Sequence, residues 1–280
     1  VTAISSSDSI TYTNFYSEMV KRVKHYPEEP VYLLFVNNEQ CHFEILVNDM
    51  PVESYFKEGK LISPIFINEM ILKSGKHRVT YRLCPLKESG LSKFGRFTDF
   101  KVEVLRWDNR KEMKFENMDT VIVHRALKQA DGKSFIGTDQ VFYEFSFDFE
   151  AKVPYEEIGW TESEDLSKID EDELFIGTKA AYDYIGSLVT KKDKDQFAKL
   201  IFNPILSQYR NEFSDDKDIS DGKKLLTFWA NDKNLTLNTL DDVKVQLFGE
   251  NKVLTLISTS SDDFYNKKSA FSTDYIDDDG

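Results

Sequence analysis

The side chains best suited to chemistry in this sequence are few and scattered. Cys41 and His42 are neighbours, and a thiol beside an imidazole is a nucleophile and its base. The run Cys41-His42-Phe43-Glu44-Ile45-Leu46-Val47 alternates, with Cys41, Phe43, Ile45 and Val47 apolar, so it reads as a strand. Neighbours on a strand point to opposite faces, so these two cannot form a dyad. His25, His77 and His124 reach a nucleophile only through tertiary structure. Ser92 lies in Gly90-Leu91-Ser92-Lys93-Phe94-Gly95, one residue longer than a nucleophile elbow and without a strand before it. No catalytic residue is assigned.

Metal and phosphate motifs fail on individual positions. Asp216 and Asp218 match the first two acidic positions of an EF-hand loop, but Asp221 occupies the glycine position and Thr227 the place of the closing glutamate. Asp215, Asp216, Asp218 and Asp221 therefore read as a solvated acidic loop. Gly132-Lys133-Ser134 resembles the end of a P-loop, yet Leu127 replaces the leading glycine and no strand–loop–helix context surrounds it. No metal or cofactor is expected. Carboxylate pairs for glycoside hydrolysis are assembled in space, and among 49 acidic residues their presence carries no information.

Cys41 and Cys84 are the two cysteines, 43 positions apart, each in a strand-like run. If their strands face one another across two sheets, a disulfide worth about 3–4 kcal/mol is sterically allowed. An even count suits an oxidising compartment, whereas two free thiols would behave as small apolar core residues. Trp160, in Ile158-Gly159-Trp160-Thr161, reads as a plug between two units or as a partner contact.

The elements that would position these groups change character along the chain. The runs 31–36, 41–47, 78–83, 100–107, 120–124 and 141–149 carry strand signals, and 62–67 is an edge because of Pro64. One amphipathic helix precedes them at 14–24. Residues 1–150 thus read as an antiparallel β-sandwich domain. After Pro154 and an acidic linker, Leu174, Thr178, Ala181, Ile185 and Leu188 mark one helix face. Asp193 and Gln196 open a second helix, which Pro204 must kink or restart. The runs 243–248 and 253–257 flank Gly249-Glu250-Asn251-Lys252 as a β-hairpin. Residues 151–280 read as a smaller α+β domain, a helical hairpin plus a β-hairpin.

Net charge bounds the function. The 280 residues sum to −13, with 19 acids against 20 bases in 1–140 and 30 against 16 in 141–280. An acidic chain without a basic cluster argues against nucleic acid and favours a protein partner with a basic surface. No apolar stretch is long enough to span a membrane. The small polar opening from Val1 suits a tether behind a leader or lipid anchor, which places the protein in the periplasm or at the cell surface, with the cytoplasm as the alternative. The expectation is a non-enzymatic extracytoplasmic binding protein. Its most concrete form is an inhibitor or immunity-type protein using the acidic C-terminal domain. The alternatives are a carbohydrate- or surface-binding envelope protein and a hydrolase with a carboxylate site invisible in sequence.

Overall fold

The structure, a computed structural model, describes residues 8–57, 59–86, 90–222, 236–237, 242–258 and 273–274. Trp229, Asn234 and the aspartates at 277–279 lie outside them. Contacts divide the chain into Tyr26–Glu162 and a second unit made of Val1–His25 with Ser163–Gly280. The architecture is mixed and mostly antiparallel.

In the 26–162 unit the expected strands form β1 (Pro30–Glu39), β2 (Cys41–Val47), β4 (Ile65–Phe66), β5 (Gly75–Pro85), β6 (Asp99–Asp108), β7 (Met118–Arg125) and β8 (Tyr143–Ala151). The additional strand is β3 (Met50–Tyr55). The sequence reading takes Asn48-Asp49-Met50-Pro51 as the end of β2. Instead Asn48 (φ 51°) and Asp49 (φ 63°) form a two-residue hairpin turn, with Val47 opposite Met50. Asn and Asp tolerate this left-handed backbone, and Pro51 is accommodated on an edge strand beside an irregularity at Ile45/Leu46.

Two four-stranded sheets result, ordered β4-β1-β6-β7 and β3-β2-β5-β8. Tyr32, Leu34, Val102 and Val104 from the first share one hydrophobic cluster with Phe43, Ile45, Tyr81 and Leu83 from the second. Trp107 stays outside this cluster, half-buried at the end of β6, with its indole N–H donating to Lys111 O (3.1 Å).

The second unit begins with α1 (Phe15–Arg22), whose Phe15 and Met19 pack with Ala198, Phe202 and Leu206 of α3 (Lys194–Asn211). Asp195 accepts from Tyr12 N–H (2.8 Å), and Arg210 Nε donates to Arg22 O (3.1 Å). The expectation that the first helix belongs with the strands is therefore revised, because its apolar face is covered from 180 residues downstream. The helical face read from sequence is α2 (Glu171–Lys191), which buries Leu174, Thr178 and Leu188. Asp170 caps α2, and Asp193 caps α3 by accepting from Gln196 N–H (3.2 Å). Pro204 is carried inside α3 without ending it.

The expected hairpin is β10 (Val243–Phe248) with β11 (Val253–Ser258). A further short pair is β9 (Thr236–Leu237) with β12 (Thr273–Asp274). Among the described residues no helix is long and apolar enough to cross a membrane.

Candidate functional site

The charge step of the sequence does not follow the unit boundary. The 26–162 unit holds 23 acids against 18 bases, net −5, and the other unit 26 against 18, net −8. Lys21, Arg22 and Lys24 travel with the C-terminal elements, while the acids from Glu144 to Glu162 stay with the strands. Both units are acidic, so the contrast drawn between two halves is replaced by local features.

Acidity is densest over 156–173, where nine Asp or Glu face one lysine. This run leads into α2, and there a cleft of about 250 Å³ opens in the second unit. Its elements are fixed by specific hydrogen bonds. Asp165 accepts from the Ser167 hydroxyl (2.6 Å) and N–H (3.1 Å), which closes a 3-10 turn at Leu166–Lys168. Those bonds, with Lys168 nearby, hold the Asp165 carboxyl below the usual carboxylate range. Leu166 N–H donates to Asn251 O (2.9 Å), tying the turn to the β10–β11 hairpin. The Tyr182 hydroxyl meets Thr255 Oγ1 (2.9 Å) and accepts from Leu256 N–H (3.2 Å), tying α2 to β11.

The cleft lies between these ties. Leu166, Ile169, Leu174, Ala181 and Leu254 give it an apolar floor, and Gly177 also lines it. Glu164, Glu173 and Lys252 bring charge to it. Thr178 also lines it, but its hydroxyl donates to Leu174 O (2.6 Å). Among the described residues, those lining it include no histidine or cysteine. It offers an apolar surface with carboxylates beside it, which suits recognition of a cationic, partly apolar group.

The residues singled out in sequence stand elsewhere. Trp160 is half-buried in the 26–162 unit, in a turn fastened by Glu157 N–H to Leu72 O (2.7 Å). Residues 214–222, read as a polar loop, contain a helix from 216 onward. Asp215 caps it by accepting from Lys217 and Asp218 N–H (both 2.8 Å), and Ile219 is buried against α1 and α3. Asp215 thus has local structural work, and all four aspartates are exposed. None of these five lines the cleft. Its residues carried one signal in the sequence, small Gly177 and Ala181 on the same helix face as Leu174 and Thr178.

Cys41 and Cys84 are buried free thiols, the second of the two arrangements the sequence leaves open. Their strands are hydrogen-bonded neighbours in one sheet, with Cys41 opposite Pro85 and His42 opposite Cys84. Cys41 therefore shares the core face with Phe43, and Cys84 takes the other face. The oxidising compartment loses that support.

The titratable groups most displaced from their ordinary behaviour lie in the strand unit. Tyr81 is fully buried, and burial pushes its hydroxyl well above the usual phenol range. It bonds His124 Nε2 (3.0 Å), whose ring stacks on Phe145 and Phe147 with centroids 4.8 and 4.6 Å away. Burial lowers the His124 pKa. A fully covered hydroxyl offers nothing to a substrate, so this pair reads as core joinery. Among the described residues no group of three His, Cys, Asp or Glu is placed to hold a metal. Comparison with models of known families, with curated proteins and with solved structures gives no match to this chain.

Proposed function

We propose that this chain is a non-catalytic binding protein whose cleft beside α2 receives a basic, apolar-flanked segment of a protein partner. In its most concrete form it is an inhibitor or immunity-type protein that masks the partner. The observation that carries this reading is the apolar floor of the cleft set beside Glu164 and Glu173, in the most acidic stretch of a chain of net charge −13. An apolar surface supplies affinity and the surrounding charge supplies rate and selectivity. In the same reading the two sheets of the 26–162 unit are the faces of an antiparallel β-sandwich that serves as a rigid scaffold. Their shared core cluster supports it.

The test uses two model peptides of equal length, alternating Lys-Leu and alternating Glu-Leu, over immobilised protein. The Lys-Leu peptide binds and the Glu-Leu peptide does not, and the association rate falls steeply as salt rises from about 0.05 to about 0.5 M. Replacing Gly177 with leucine fills the cleft and abolishes binding. The helix itself gains, since glycine costs a helix interior about 0.8–1 kcal/mol. Equal binding of both peptides, or full binding by Gly177→Leu, overturns the reading.

A further inference from the structure

One end of the 26–162 unit exposes apolar side chains that its fold does not need exposed. Phe97 is 66% exposed, Val141 60%, Leu127 47%, Phe142 42% and Ile136 38%. They come from the connections at 91–98 and 126–142, which backbone hydrogen bonds knit together. Phe135 N–H donates to Arg96 O (3.0 Å), Ile136 N–H to Leu127 O (3.0 Å) and Phe94 N–H to Gln140 O (2.9 Å). Phe94, Ala126 and Phe135 turn inward and are buried, so the same short segments hold a core face and an outward apolar face. A cluster of this kind marks a contact surface.

Its charge runs against the rest of the unit. Residues 91–99 and 125–142 carry five Lys or Arg against three Asp in a unit of net −5. Asp131 accepts from the Ser134 hydroxyl (2.6 Å) and from Lys133 and Ser134 N–H (both 2.8 Å), and Asp99 is held by Arg125 and Lys128. Two of the three acids are thus occupied locally, Asp99 by Arg125 and Lys128, while Lys93, Arg96 and Lys133 are exposed outside that pairing. The Arg96 guanidinium lies 4.5 Å over the Phe97 ring. That stack leaves the guanidinium edge free in geometry for a phosphate, directly above an apolar ring.

We propose that this end of the strand unit docks on a phospholipid bilayer bearing anionic headgroups. An acidic polypeptide would satisfy the cations but not five apolar side chains spread over separate turns. A bilayer interface satisfies both together, phosphates at the level of the cations and acyl chains beneath the apolar tips. The surface is in a different unit from the cleft, and its test is independent of the peptide experiment.

The test is co-sedimentation of the whole chain with vesicles of phosphatidylcholine alone and with about one-third phosphatidylserine. The protein pellets with the anionic vesicles at least about tenfold more strongly than with the neutral ones. Phe97→Ser with Leu127→Ser, and separately Arg96→Glu, lower that binding about tenfold with an unchanged circular dichroism spectrum. Phe97→Trp gives an emission blue shift on anionic vesicles relative to the parent chain. Equal binding to both vesicles, binding unaffected by these substitutions, or no blue shift overturns the proposal. Binding of soluble polyglutamate without vesicle binding also overturns it and assigns the surface to an acidic polypeptide.

Discussion

Phe15 is the side chain through which the first helix joins elements that follow it by nearly the whole strand unit. It is 1% exposed and meets Phe202, 187 positions later, edge to face at 84° with ring centroids 5.4 Å apart. Phe15→Ala removes a fully buried ring, which costs about 3–5 kcal/mol, of which about 0.5–1.5 belongs to the aromatic pair. At about 1.4 kcal/mol per power of ten, amides that exchange through opening of the second unit speed up about 100- to 4,000-fold. Hydrogen exchange followed by mass spectrometry reads this peptide by peptide. Peptides from α3 and from 216–222 lose protection, while those from β2 and β5 keep it. Loss of protection in β2 and β5 to the same degree, or unchanged α3, refutes the assignment of α1 to the second unit.

Stability falls as pH drops below about 6.5, the ordinary histidine pKa. Burial lowers the pKa of both His77 and His124 in the folded chain, so the unfolded chain takes up protons first and is favoured as pH descends toward the folded values. The urea midpoint therefore declines between about pH 7 and pH 5, and His124→Gln flattens that decline; a midpoint constant over this range refutes it. The two cysteines are inert in the native chain, since both are buried and burial pushes the Cys41 thiol far above its ordinary value. Ellman's reagent counts no thiol before unfolding and two after it, with or without prior reductant; fewer than two without reductant reveals a bridge.

The strands were legible from alternation, as in β5, or from a continuous apolar run, as in β1, where Val31 to Leu34 are all buried. Val79, Tyr81 and Leu83 alternate in the sequence and line the core in the fold. β3 was not legible. Its residues Met50-Pro51-Val52-Glu53-Ser54-Tyr55 lack alternation, and a proline argues against a central strand while leaving an edge position open. The signal for it was the Asn48-Asp49 pair, a hairpin turn in chemistry that reads equally as a stop. The state of the two thiols was not legible for a similar reason. Strand identity was correct for both Cys41 and Cys84, but which strands are neighbours is a property of topology. One step of register decides whether two thiols share a face.

The candidate cleft illustrates why local sequence underdetermines a site. Glu164, Glu173, Gly177 and Leu254 come from a turn, a helix and a hairpin that meet through Leu166 N–H with Asn251 O and Tyr182 with Thr255. Gly177 disfavours a helix interior, and here it lies on the lining of the cleft. Net charge counted by halves was likewise a property of the chain, not of its surfaces, because α1 carries Lys21 and Arg22 across to the C-terminal elements. Screening confines an exposed charge to about 8 Å at physiological salt, so a partner senses the few groups around its contact and not a sum over 140 residues. A charge sum over either half therefore says little about a contact, and the groups around each surface decide what it prefers.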